Sequence, residues 1–288
     1  MSDIYHFSRG SAPLLISIPH LGSQIPDAQR ARMTPVGQQS GDTDWHLDTL
    51  YQFADALGAS VLGARYSRYV VDLNRSPDDE SLYPGQTKTG LCPTHTFRGE
   101  PLYLSDAALT DDERAHRVQN YWQPYHAKLR EELDRIRAEH GTVLLWEAHS
   151  IASVLPRLFE GKLPDLNLGT ADGASCAPDI LAAIGERLPG CGYTSALNGR
   201  FKGGYITRHY GSPACASSRA ACSNSNSPAG VGRAGRVLRS SSSVDMAASS
   251  CLMRCDTAAC DSPSRRAAPE TDAASTTATQ VSSRLHSG

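Results

Sequence analysis

Short apolar runs ending in polar residues recur along the first 211 residues. Leu14-Leu15-Ile16-Ser17-Ile18 stops at Pro19-His20, and Thr142-Val143-Leu144-Leu145-Trp146 runs straight into Glu147-Ala148-His149-Ser150. Such runs predict buried strands that deliver their last side chains to a site. Ala59 to Tyr66 and Tyr69 to Leu73 read as two further strands, and Tyr205 to Tyr210 as a last one. Asp42-Thr43-Asp44 offers N-cap residues for a helix through Leu57, closed by Gly58. Asp111 to His140 carries apolar residues at helical spacing among dense charge, which predicts a long surface helix stopped by Gly141; Cys176 to Leu188 reads as another helix. Strands alternating with helices predict an α/β sheet. Asn74 to Pro101, rich in Gly, Pro, Thr and Asp, reads as a long loop.

Composition changes abruptly after Gly211. Every Phe, Trp, Tyr, Lys and Ile precedes that point, whereas Ser212 to Gly288 holds eighteen Ser, eight Arg and five of the eight Cys. A segment so poor in large apolar groups cannot offset the entropy of ordering it. The chain therefore divides into an organised body, residues 1–211, and a low-complexity tail, residues 212–288, expected to stay without structure. The net charge of −2 gives no reason to expect nucleic acid or an anionic membrane surface as partner. No apolar run approaches the roughly 18 residues that span a bilayer, and Met-Ser-Asp-Ile-Tyr-His-Phe lacks the regions of a signal peptide. A cytoplasmic location follows by default. Cys92, Cys176 and Cys191 are too scattered for a disulfide framework.

Ligands bind α/β sheets beyond the carboxyl ends of the strands, and two strands here end at His20 and His149. Two imidazoles and a carboxylate make a suitable zinc site with a fourth position open. Asp44 and Asp48 are the candidate carboxylates; the alternative is that the histidines are core or loop residues and Asp44 a helix cap. Arg75, Arg98, Arg200 and Arg208 lie in loops or Gly-rich stretches, where guanidinium groups can grip carboxylates bidentately. Grouped around a metal they would suit a small substrate with more than one carboxylate; taken singly, each could pair with a surface acid. A serine hydrolase is disfavoured, because His149 and Ser150 are adjacent on a strand and point to opposite faces, and no GxSxG elbow occurs. Gly199 to Gly204 lacks the P-loop pattern.

Pro19-His20-Leu21-Gly22, Asp42 to Asp48, Ser67 to Arg75, Phe97 to Tyr103, Glu147 to Ile151, Gly169 to Gly173 and Asn198 to Gly211 occur in that order. The succession closely resembles the N-formylglutamate amidohydrolases, which act in one route of histidine degradation. The resemblance implies a three-layer α/β/α fold around a mixed sheet, similar to zinc carboxypeptidases and aspartoacylases. It implies hydrolysis of N-formyl-L-glutamate to formate and L-glutamate, assisted by a divalent metal, zinc by preference. By the same resemblance His20, His149 and Asp44 (or Asp48) hold the metal, and Arg75, Arg98 and Arg208, with Asn74, hold the dicarboxylate substrate. Glu147 is the candidate acid/base.

In that family the region after Tyr205 leads into a Gln-Leu-Glu-Leu segment whose glutamate resembles a catalytic acid/base. Here Ala221-Cys222-Ser223-Asn224-Ser225-Asn226-Ser227-Pro228 stands instead. One codon choice for that stretch, read in a shifted frame, gives Gln-Gln-Leu-Glu-Leu. The tail is therefore compatible with a frameshift near codon 212, which would leave a remnant able to bind metal or substrate without turnover. Resequencing the gene decides the point.

Overall fold

The structure is a computed structural model that describes residues 4–80, 89–105, 109–211 and 274–278. Its strands are β1 (Tyr5–Ser8), β2 (Leu14–Ile18), β3 (Ser60–Ala64), β4 (Leu144–Ala152), β5 (Leu166–Leu168), β6 (Ser195–Leu197) and β7 (Ala274–Ala278). Its α-helices are α1 (Asp27–Arg30), α2 (Pro35–Gln38), α3 (Leu47–Leu50), α4 (Asp111–Arg117), α5 (Gln123–His140), α6 (Pro178–Arg187) and α7 (Tyr205–Tyr210). The strands form one mixed sheet in the order β1-β3-β2-β4-β7-β5-β6. β2 lies parallel between β3 and β4. β2 stops at Ile18, whereas β4 runs on to Ala152, so His20 follows the end of β2 while His149 lies within β4 and not, as expected, at its end.

Side-chain alternation on β2 builds the layers. Leu14, Ile16 and Ile18 pack with Leu47, Tyr51 and Ala54 on one face of the sheet. Leu15, on the other face, joins Leu62, Tyr125, Leu129 and Ile136 under α5, and the Ser17 hydroxyl meets the Tyr125 hydroxyl there at 2.9 Å. Helices thus cover both faces, giving the expected α/β/α arrangement. The charged 111–140 segment is helical but not uniform. A π-helical turn at Val118–Trp122 joins α4 to α5, and Gly141 ends α5 at φ 77°.

Three local expectations are corrected. Tyr205–Tyr210 is the helix α7, not a strand: a helical turn buries Ile206 and Thr207 together, where strand alternation would have sent them to opposite faces. Tyr69 to Leu73 forms turns and loop rather than a strand, although Tyr69, Val70 and Val71 are buried. Its backbone bonds go elsewhere, from Asp72 N–H to the Leu91 carbonyl and from the Arg117 guanidinium to the Val70 carbonyl. The helix after Asp44 begins only at Leu47, with His46 before it at φ 67°, and continues as a 3₁₀ turn over Gln52–Leu57.

Residues 274–278, Ala-Ser-Thr-Thr-Ala, form β7 antiparallel to β4, with Thr277 opposite His149. An uncovered β4 edge would present a row of unpaired backbone groups, and threonine suits an extended chain. The remainder of the tail, including the segment at 221–228, lies outside the described residues.

Candidate metal centre

β2 ends in the Pro19-His20 turn, and the chain then passes beneath β3. A Cβ on Gly22 would lie 2.3 Å from the Arg65 backbone, so this approach requires glycine. The next loop returns Asp44 to the same spot: its N–H donates to the carbonyl of His20 itself, at 3.0 Å. The Ser150 hydroxyl holds the other side of that loop, donating to the Trp45 carbonyl at 2.9 Å. β4 contributes His149 and, two residues earlier on the same face, Glu147. Ser150 is thus turned away from the imidazole, as the strand geometry predicted.

His20, Asp44 and His149 converge, all three buried. His149 Nδ1 lies 2.9 Å from Asp44 Oδ2 and 3.2 Å from His20 Nδ1, and His20 Nδ1 lies 3.6 Å from Asp44 Oδ2. A tetrahedral zinc with bonds of about 2.0–2.1 Å holds its ligand atoms about 3.3 Å apart. Two imidazole nitrogens and a carboxylate oxygen at these separations fit such an ion.

The far nitrogen of each imidazole also has a fixed partner. His20 Nε2 donates to Asp72 Oδ1 at 2.7 Å, and His149 Nε2 donates to Glu147 Oε1 at 2.8 Å. These bonds set the tautomers and aim both Nδ1 atoms at the centre. Arg68 bridges the acids, donating to Asp72 Oδ2 at 2.9 Å and lying 3.6 Å from Asp44 Oδ1. Burial opposes ionisation of Asp44 and Asp72, but the neighbouring histidines and Arg68 win, and both carboxyls titrate below the usual carboxylate range. For His149 burial favours the neutral ring, yet Glu147 and Asp44 raise its pKa to about 9.

Asp48 is not part of this cluster. It is exposed and its Oδ1 accepts from the Thr49 N–H, because Asp44 precedes the helix and does not share a face with it. Asn74 is brought in: its Oδ1 accepts from the Ile206 N–H and its Nδ2 lies 3.2 Å from His149 Nε2. Arg75 borders the cluster, with Nε 3.9 Å from Asp72 Oδ2, and is partly exposed. Arg98 and Arg208 lie at the surface, Arg98 near the Asp42 charge and Arg208 donating through Nε to the Gly203 carbonyl. Arg200 donates to the Leu158 carbonyl. Glu147 is fully buried, with one oxygen on His149 and the other accepting from the Thr207 hydroxyl at 2.7 Å.

Three residues of this cluster were not singled out from the sequence: Asp72, Arg68 and Thr207. The four-residue spacing of Arg68 and Asp72 was a usable signal, but Arg68 fell between the two expected strands and Asp72 inside the second, an assignment that does not bring the charges together. Thr207 was hidden by the strand reading of α7.

A mixed sheet covered on both faces, with His20 just past β2, His149 within the adjacent parallel strand β4 and Asp44 on the loop between, forms an α/β/α fold whose buried cluster could hold a cation. Residues 12–220 match the N-formylglutamate amidohydrolase family, and the chain belongs to that family. It is 52% identical over 219 residues to the N-formylglutamate deformylase of Pseudomonas putida, covering 74% of this chain and 80% of that one. The deformylase of Pseudomonas aeruginosa is 51% identical over 214 residues with the same shares. The crystal structure of N-formylglutamate amidohydrolase from Ralstonia eutropha JMP134 superposes with a TM-score of 0.62 at 27% identity, over 74% of this chain and 82% of that one. A gene product from Agrobacterium tumefaciens shares the fold, with a TM-score of 0.54 at 17% identity over 69% of this chain and 74% of its own. Among the described residues no helix is long and apolar enough to cross a membrane.

Proposed function

We propose that this chain hydrolyses N-formyl-L-glutamate to formate and L-glutamate, in the cytoplasm, as a step of histidine degradation. The observation that carries the reading is the buried convergence of His20, Asp44 and His149 beside the adjacent strands β2 and β4, in a chain about half identical to two N-formylglutamate deformylases. His20 Nδ1, His149 Nδ1 and Asp44 Oδ2 would hold a divalent cation, zinc by donor set. When bound, such a cation polarises the formyl carbonyl and lowers the pKa of water at the site. The protein's own part is placement. Arg75, beside the cluster, takes one substrate carboxylate bidentately, with Arg98 or Arg208 the candidate for the second. Asn74, its carbonyl committed to Ile206, presents its amide hydrogens toward the site. Water adds to the formyl carbon, the C–N bond breaks, and the departing nitrogen takes a proton.

Formate release by the purified full chain tests this. Stoichiometric formate and glutamate from N-formyl-L-glutamate, with N-acetyl-L-glutamate left intact, is the expected result; release from the acetyl compound alone would reassign the substrate. One observation favours a second reading. The family match ends at residue 220, and the chain spans 80% of the length of the Pseudomonas relatives. A chain that binds zinc but releases no formate would be the remnant that retains binding without turnover.

A further inference from the structure

Glu147 and Thr207 are assigned no step in the proposed hydrolysis, yet they occupy an enclosed polar position of the centre. Glu147 is 0% exposed and Thr207 2%. The Thr207 hydroxyl donates to Glu147 Oε2 at 2.7 Å, and Glu147 Oε1 accepts from His149 Nε2 at 2.8 Å. Asn74 Nδ2 also approaches His149 Nε2, at 3.2 Å. It cannot accept that N–H, because Asn74 Oδ1 is the atom bonded to the Ile206 N–H and Nδ2 is therefore a donor. Glu147 is then the acceptor that fixes the His149 ring, on the edge opposite the Nδ1 facing Asp44.

The position of Thr207 is itself determined. Gly204 starts α7 directly against Asn74: a Cβ there would lie 2.3 Å from Asn74 Nδ2 and 2.5 Å from Oδ1. The Tyr205 N–H donates to the Asn74 carbonyl at 3.3 Å, and Ile206, 0% exposed, anchors the turn in the core. Thr207 comes next, with its hydroxyl under Glu147. At the far end, the Tyr210 hydroxyl meets His126 Nδ1 at 2.9 Å.

We propose that Thr207 and Glu147 are positioning residues that hold His149 Nδ1 toward the metal, so that α7 completes the metal centre from outside. Glu147 is then the holder of a ligand and not the acid/base. The assignment rests on the metal reading of His20, Asp44 and His149. Outer partners of metal-bound histidines are worth roughly 10–100-fold in metal affinity.

The test is zinc affinity of the full chain at fixed pH, measured by competition with a chromophoric chelator. Thr207→Val, which keeps the shape and removes the donor, is expected to weaken zinc binding roughly tenfold or more, while Thr207→Ser restores wild-type affinity. Equal affinity in wild type and Thr207→Val overturns the assignment, and so does a Thr207→Ser that binds as poorly as the valine. If Thr207→Val lacks a cooperative unfolding transition, the near-isosteric Glu147→Gln takes its place; the same loss supports the proposal and wild-type affinity overturns it. A wild-type chain that takes up no zinc overturns the centre itself and this assignment with it. Wild-type uptake with unchanged variants overturns only the assignment.

Discussion

The two sides of the sheet differ in how they are packed. On the side of β1, β3, β2 and β4, α5 buries Tyr125, Leu129 and Ile136 completely against Leu15 and Leu62. On the side of β5 and β6, α6 has no buried residue, although Ile180, Leu181 and Ile184 recur at helical spacing. Leu197 on β6 is 45% exposed. The candidate metal atoms all belong to the first side and its loops. The last ties come from α7, through Thr207 to Glu147 and through Ile206 to Asn74. The candidate cation site therefore lies in the well-packed half, and His20, Asp44, His149 and the side chains that hold them all precede Gly211 in sequence.

The largest expected effect is in the core. Ile136→Ala, at a completely buried position, should cost about 2–5 kcal/mol in urea unfolding, against less than about 1 kcal/mol for Ile184→Ala in α6. Comparable losses at both positions would erase the distinction between the two sides.

A smaller effect comes from pH. His126 is buried on α5, donating Nε2–H to the Leu73 carbonyl and stacked on Trp122 at 3.7 Å. Burial, reinforced by His209 and Arg130, lowers its pKa to about 3. Below pH about 6.5 the unfolded chain binds a proton that the folded chain refuses, so stability falls as pH drops from about 6.5 toward 3. The contribution is at most about 1.4 kcal/mol per pH unit. His126→Gln should flatten that part of the profile, and an unchanged slope would show that the acid sensitivity arises elsewhere.

How much of this was legible depended on which physics each residue obeyed. β2, β4 and His20 follow local rules, a short apolar run and then a polar residue where β2 stops; His149 was placed correctly on β4, but the strand runs on past it to Ala152. Asp44 was already preferred over Asp48 through the family resemblance, but how it reaches the histidines depends on the loop that ties its N–H to the His20 carbonyl. The roles of Asp72, Arg68 and Thr207 come from contacts distant in sequence, such as Thr207 to Glu147 across 60 residues. The misreading of α7 has a local cause. Its β-branched and aromatic residues favour strand by propensity, and only the burial of Ile206 in the core and the close fit of Gly204 against Asn74 decide for helix. β7 left no pattern to read: Ala-Ser-Thr-Thr-Ala lacks an apolar face and gains its place by pairing with the edge of β4.

The most direct test of the central claim is the zinc content of three proteins purified alike: wild type, Asp44→Asn and Asp48→Asn. A centre built from His20, Asp44 and His149 predicts one zinc per chain in the wild type, one in Asp48→Asn, and essentially none in Asp44→Asn. Full zinc in Asp44→Asn, or its loss in Asp48→Asn, would contradict it.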